Sequence, residues 1–253
     1  MSQPKILTIG ESNFDVWHMC SCDRLAPESC APVLVPISTS TNRGMAGNVR
    51  ASIEALGFKC DFITNPNWKA IKKERYSEKK TGHMIVRVDH NDRIERAKDL
   101  DKIDWAAYDL VVVVDYQKGF LLEEDLKYIA DSAKMSTLDT KKQLGSWANN
   151  FNFIKINRKE FEEQRGLSKK LLSNIIVTLG EGGCRYREKT YPVRNVEIKN
   201  LCSAGDQFHA SFAVKYLELG DVHKALEFAN ECSTITVQRK AISPVTRKDL
   251  LVA

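Results

Sequence analysis

The sequence predicts an α/β fold: a doubly wound, mainly parallel sheet flanked by helices, with a small β-sheet lid. Three observations carry that prediction. From Asp109 onward, short apolar runs alternate with amphipathic stretches of helical length, the pattern of a parallel sheet crossed by helices. The runs end in polar residues, Asp115, Asp139, Asn157 and Thr178, at the strand ends where open α/β sheets assemble their sites. A second group of strand-like stretches, from about 14–40 and 83–96, mixes apolar and polar side chains in alternation and reads as a separate, half-exposed sheet. With 253 residues, 43% of them apolar, the chain can bury a full core, and we take 1–253 as one domain.

In chain order, Lys5–Gly10 reads as a buried strand followed by a polar turn in which Asn13 and Asp15 flank Phe14 and can face one side together. Such a pair suits sugar hydroxyls, and equally suits a plain turn. Phe14–Cys22, Val33–Thr39 and His83–Glu95 are the lid strands, with Pro36 favouring an edge position. A sheet that small is not stable alone, so it must lie over the main domain or pair with another chain. Gly44 and Gly47 precede a helix, Val49–Leu56, that Gly57 stops. Lys59–Thr64 is a strand; Asn65–Thr81 is polar, basic and without a readable element. Strands follow at Leu110–Asp115, Met135–Asp139, Phe153–Ile156 and Asn174–Thr178, with a helix at Leu121–Ala133 between the first two. A hairpin at 184–193 and two helices, Gly205–Leu219 and Val222–Val237, finish the chain.

A net charge of +5 spread along the chain suits a small anionic ligand and falls short of a nucleic-acid-binding signature. No apolar run reaches membrane-spanning length, and Met1–Lys5 lacks the apolar core of a signal peptide, so the expected setting is the cytoplasm, with no membrane partner. Seven irregularly spaced cysteines argue against a disulfide framework. Cys202 is a possible reactive thiol, because it precedes a helix start. The turn after the first strand, GESNFD, lacks the glycine pattern of a dinucleotide site.

The chemistry concentrates in Ser203-Ala204-Gly205-Asp206, which leads into an amphipathic run. A helix N-terminus offers unpaired N–H groups and partial positive charge to an anion. Asp206 there is either a helix cap or a base beside a phosphate, and the second option is phosphoryl transfer to a hydroxyl.

Several of these motifs, in this order, make the chain resemble the ribokinase-like (PfkB) family of sugar kinases over most of its length. Ser203-Ala204-Gly205-Asp206 resembles the family's G-A-G-D turn, which holds the catalytic base and an anion hole. Asn157-Arg158-Lys159-Glu160 fits its N-x-x-E motif, implying Asn157 near the phosphates and Glu160 on Mg²⁺ through water. Thr178, Gly180 and Gly183 resemble its nucleotide loop, Gly44 to Asn48 its sugar loop, and Asn13-x-Asp15 its first sugar-binding pair. The resemblance thus implies ATP and Mg²⁺ as cofactors. Lys141 is a candidate phosphate contact or a solvated lysine, Asn230 a candidate near the adenine or a helix surface residue, and Arg87 on the lid a candidate for a sugar phosphate or a plain exposed strand arginine. It also implies a homodimer through the lid sheet. Within the family, Arg24–Val33, Asp115-Tyr116-Gln117-Lys118-Gly119 and Asp139-Thr140-Lys141 are similar to segments of the D-glycero-D-manno-heptose 7-phosphate kinases.

The departures are specific. Ser203 and Met45 stand where the family pattern has glycine, Gln207 follows the base in place of the usual threonine, and Asn65–Thr81 is too short for the usual further helix and strand. They leave two alternatives to the sugar kinase: a catalytically weakened sugar- or nucleotide-binding homologue, and a nucleoside kinase.

Overall fold

Uninterrupted β-branched and aliphatic runs place the strands at the centre of the computed structural model, which describes residues 3–91, 93–239 and 242–251. The ends of the expected 1–253 unit, and position 92 of the 83–96 stretch, lie outside the described residues. Parallel strands β1 (Ile6–Gly10), β4 (Cys60–Ile63), β7 (Leu110–Asp115), β8 (Ser136–Thr140), β9 (Phe153–Asn157) and β10 (Ile175–Thr178) form the main sheet, extended by the antiparallel hairpin β11 (Cys184–Tyr186) and β12 (Lys189–Tyr191). The spatial order is β12-β11-β10-β9-β8-β7-β1-β4.

Alternate side chains of these strands feed opposite cores, because successive residues of a strand point to opposite faces. Val111, Val113, Leu138, Ile154 and Val177 pack with Leu126 and Ile129 of α2 (Glu123–Ser132) and Leu171 of α4 (Lys169–Asn174). Val112 and Val114 pack with Val49 and Ile53 of α1 (Ala46–Ala55) and Ala210 and Val214 of α5 (Ala204–Leu219). Phe153 and Ile176 meet Phe212 of α5 and Leu226 of α6 (Val222–Val237). Each fully buried valine or isoleucine contributes about 1.5–3 kcal/mol. The short α3 (Arg158–Glu163) starts directly from β9. The doubly wound architecture therefore matches the expectation.

A second sheet, order β3-β2-β5-β6, hangs from the C-terminal end of β1. It consists of β2 (Phe14–Ser21), β3 (Val35–Arg43), β5 (Lys72–Glu78) and β6 (Met84–His90). Strand β5 corrects the reading of 65–81 as lacking an element. Its sequence, KKERYSE, hides the strand behind charge, yet Lys73 and Ser77 are buried. β5 lies between β2, in parallel, and β6, antiparallel, so its backbone is paired on both sides. β3 begins two residues later than expected, because Leu25 and Pro32 first pair across the loop. It is an edge strand, which accommodates Pro36. β6 stops at His90, short of the expected 95. Helix α1 starts at Ala46 instead of Val49, placing Gly47 and Asn48 in its first turn. No helix among the described residues is long and apolar enough to cross a membrane.

Candidate active site

Asp206 lies in the first turn of α5 and is 6% exposed. Asn48 Nδ2 donates to its Oδ2 at 2.9 Å, and the Tyr116 hydroxyl donates to its Oδ1 at 2.9 Å. Burial raises the Asp206 carboxyl to about 6, against the lowering effect of those two donors. Tyr116 is pushed well above its usual range by burial and then by Asp206, so it serves as a donor. Its own position comes from below. Fully buried Glu11 accepts the backbone N–H of Tyr116 (2.5 Å) and of Lys118 (2.8 Å). Next to it, Asp115 takes Lys142 Nζ at 2.9 Å and Thr140 Oγ1 at 2.6 Å. Burial, followed by the charge of Asp115, raises Glu11.

The turn ahead of Asp206 is left-handed at Ser203 (φ 63°), the conformation that glycine adopts without cost. The Ala204 N–H already points to the Leu201 carbonyl at 3.4 Å. Gly205 and Asp206 follow it in the first turn, where helical geometry leaves N–H groups without intrahelical acceptors. Burial pushes the Cys202 thiol up, the opposite of the lowering expected from its place before the helix.

In the neighbouring strands β8 and β9, Asp139 and Lys155 are direct cross-strand partners, and Lys155 Nζ donates to Asp139 Oδ2 at 2.8 Å. Burial works against the Lys155 charge, but Asp139 beside it leaves the ammonium above its ordinary pKa. Asn157 and Glu160 form a reciprocal cap on α3: Asn157 Oδ1 accepts from the Glu160 N–H (2.9 Å), and the Asn157 N–H donates to Glu160 Oε2 (2.8 Å). The helix-cap role of Asn157 is therefore real, and it also anchors Glu160 near Asp139, Lys155 and Lys141. Burial raises the Glu160 carboxyl. Lys141 lies over the Tyr116 ring, 4.7 Å from its centroid.

A cavity of about 390 Å³ lies beside this turn, lined by Thr178, Gly180, Gly183, Ala204, Gly205 and Asn230 among others. The sequence points to all six, and the fold brings them to one cavity although they span three separate segments. Gly183 is required there by backbone alone: its φ is +81°, and a Cβ would sit 2.0 Å from the Tyr191 carbonyl oxygen. Asn230 spends its amide N–H on that same carbonyl (2.8 Å), so it fixes β12 as well as lining the cavity.

Asp15, whose charge also acts on Tyr116, receives Asn13 Nδ2 at 2.7 Å and Arg75 Nη1 at 2.6 Å on its Oδ1. Gly44 closes against this pair: a Cβ there would lie 2.4 Å from both Asn13 Oδ1 and Asp15 Oδ2. Met45 is held at φ 56°, ψ −125° and is buried, so the residue at the glycine position carries backbone strain. Arg87 forms a two-point pair with Asp89 at 2.7 Å, within the field of Asp15. A second cavity, about 530 Å³, opens between the second sheet and residues 198–202, lined by Trp17, Ser40, Asn42, Ser77 and Cys202.

Sequence reasoning missed Tyr116 as a partner of Asp206, and Arg75, Lys155, Glu11 and Lys142 altogether. Lys155 did leave a signal, a charge inside an otherwise apolar strand, FIKI. Arg75 left none, since its strand was invisible. Asn48 was assigned to a sugar, yet its amide holds the Asp206 carboxylate. Among the described residues no three His, Cys, Asp or Glu side chains are arranged to hold a metal ion directly. Glu160, in the first turn of α3, could meet a hydrated cation with its carboxylate, which is how Mg²⁺ is usually held.

Residues 119–248, just over half of the chain, match the pfkB family carbohydrate kinases. The chain belongs to the pfkB family of carbohydrate kinases. The matched span includes the Asp206 turn, Asn157, Glu160 and the 390 Å³ cavity's loops, and leaves Asn13, Asp15, Gly44, Asn48 and Arg87 outside it. The pfkB chain is 27% identical over 288 aligned positions to the bifunctional protein HldE of Campylobacter jejuni subsp. doylei, covering 93% of this chain and 61% of that one. It is 23% identical to HldE of Caulobacter vibrioides, covering 97% and 62%. The chain thus spans a little over three-fifths of the length of the curated relatives it matches. Among solved structures it resembles ribokinase from Thermotoga maritima (TM-score 0.70, 18% identity, 98% of both chains). It also resembles Arabidopsis thaliana ribokinase complexed with ribose and ATP (TM-score 0.68, 15% identity, 99% and 98% covered). Phosphofructokinase-2 from Escherichia coli, in complex with potassium, gives a TM-score of 0.72 at 14% identity, with 100% and 98% covered. At these identities the structures establish a ribokinase-like fold.

Proposed function

We propose that the chain acts as one kinase unit that transfers the terminal phosphoryl group of ATP to a hydroxyl of a sugar or sugar phosphate, a heptose 7-phosphate being the first acceptor to test. One observation carries the reading: a buried carboxylate, Asp206, held by two donors in the first turn of α5, directly after Ala204 and Gly205 in the wall of the 390 Å³ cavity. In this reading the acceptor hydroxyl attacks phosphorus, the bond from the terminal phosphorus to the ADP oxygen breaks, and the hydroxyl proton passes to Asp206. The N–H groups of Gly205 and Asp206, with the Ser203–Ala204 backbone shaping the turn, face the transferred group. Thr178, Gly180, Gly183 and Asn230 take the nucleotide; the cavity's size and its backbone-lined rim suit one. Asn13, Asp15, Gly44, Asn48 and Arg87 serve the sugar side, and Lys141 a phosphate. Mg²⁺, when bound with ATP, neutralises phosphate charge; Asn157 and Glu160 would orient its water shell.

The test is ADP production from ATP across sugars, heptose phosphates and nucleosides, with and without Mg²⁺, with the product identified by phosphorus NMR. Acceptor-dependent ADP release is expected. ATP binding without transfer to any acceptor would favour a weakened binding homologue, the reading supported by strain at Met45 and Ser203. A nucleoside kinase would reveal itself by its acceptor.

Gly44→Ala gives a second result. The added methyl must push apart Asn13 and Asp15. The KM for the accepted sugar should rise about 10–100-fold, since ångström-scale misplacement costs about that much. The ATP affinity should stay near native; an unchanged sugar KM would remove these residues from the sugar site.

The edge strands β3 and β6 of the second sheet expose Val35, Ile37, Met84, Val86 and Val88. Pairing of two such sheets would cover them, supporting a homodimer; a monomeric mass by light scattering at micromolar concentration would count against it.

A further inference from the structure

The buried ammonium of Lys155 has an unusual address. It projects from β9 onto the same face as its cross-strand neighbour Asp139, and that face is covered by α5. A Cβ built on Gly205 would lie 3.1 Å from Lys155 Nζ, so the ammonium abuts the turn one residue before Asp206. The side chain is 10% exposed. Lysine is rarely buried unless it is paired, and Asp139 is the pair here. Asp139, Glu160 and Asp206 all act on this ammonium, which places three carboxylates around one buried cation. An anionic phosphoryl group arriving at such a turn would meet net negative charge if Lys155 were absent.

We propose that Lys155 is a further catalytic residue: its ammonium contacts the terminal phosphate of the nucleotide and stays with that group as it is transferred, alongside the N–H groups of the turn. This rests on the kinase reading above for what occupies the turn. The competing role is purely structural, with Lys155 neutralising Asp139 between two strands. A preorganised donor of this kind is worth about 10²–10³-fold in rate.

The experiment compares MgATP and MgADP binding by calorimetry, and single-turnover transfer, in the native chain, Lys155→Met, Lys155→Arg and the pair Asp139→Asn/Lys155→Met. The native chain should prefer ATP to ADP. Lys155→Met should lose that preference by about tenfold through weaker ATP binding alone, about the effect of one charge-assisted contact, and Lys155→Arg should keep part of it. The paired variant removes the unpaired Asp139 charge along with the lysine, so it folds if the single variant does not. A catalytic Lys155 leaves the pair as impaired as Lys155→Met; a structural Lys155 lets the pair recover both ATP preference and transfer. That recovery, or an unchanged ATP preference in Lys155→Met, overturns the proposal. If the native chain binds ATP but phosphorylates no acceptor, the kinase reading fails while the ATP-to-ADP comparison still decides Lys155. If the native chain binds neither nucleotide, both fall.

Discussion

Asp206→Asn is expected to lower phosphoryl transfer by about 10²–10⁴-fold, the usual contribution of a positioned base, while nucleotide binding persists. The same substitution should stabilise the fold. Burial holds the Asp206 carboxyl at about 6 in the folded chain, above the 3.8 usual for an aspartate. A raised folded pKa means that the native state binds the proton more tightly than the unfolded chain does. Its stabilising effect is complete below about pH 4 and is lost as pH rises through about 6. At pH 8 the ionised, buried carboxylate therefore costs about 2–3 kcal/mol, at 1.36 kcal/mol per pKa unit. Asparagine removes that charge and keeps both partners: its Oδ1 accepts from Asn48, and its Nδ2 donates to the Tyr116 oxygen. Melting at pH 8 should rise by several degrees. The paired outcome, less transfer with more stability, distinguishes a strained functional carboxylate from an ordinary helix cap, whose loss would lower stability and spare transfer. Transfer near the native rate would remove Asp206 from the role.

Transfer by the native protein should fall about tenfold per pH unit below pH 6, because only the ionised carboxylate accepts a proton. His209, one turn further along α5, does not supply this limb, as burial holds it at about 4. Tyr116→Phe removes a donor to the charged form and should move this acid limb to higher pH. Rates across pH 4.5–8 at saturating ATP and acceptor decide the matter. A limb that stays in place in Tyr116→Phe would mean that another group limits the rate.

Most of the main sheet was legible because its strands are fully apolar and end in polar residues. LVVVVD can only be a buried strand, and its Asp115 necessarily falls at the site's rim. The second sheet was half legible. β2 and β6 alternate visibly, whereas β5 is almost wholly charged and exists as a strand only because β2 and β6 pair with it on either side. With β5 went Arg75, which reaches Asp15 only through that pairing.

The Asp206 turn, its helix, the pfkB motifs and the glycine loops were all determined by local sequence, since each depends on residues a few positions apart. Which groups surround Asp206 was decided by tertiary structure. Asn48 and Tyr116 come from 158 and 90 residues away, and no local pattern links them. The same holds for the value of about 6 at Asp206: it arises from burial, and burial is a property of packing. The strain at Ser203 and Met45 joins the two levels. The sequence showed side chains where glycine was expected, and only the positive φ at both positions gave those substitutions an energetic cost.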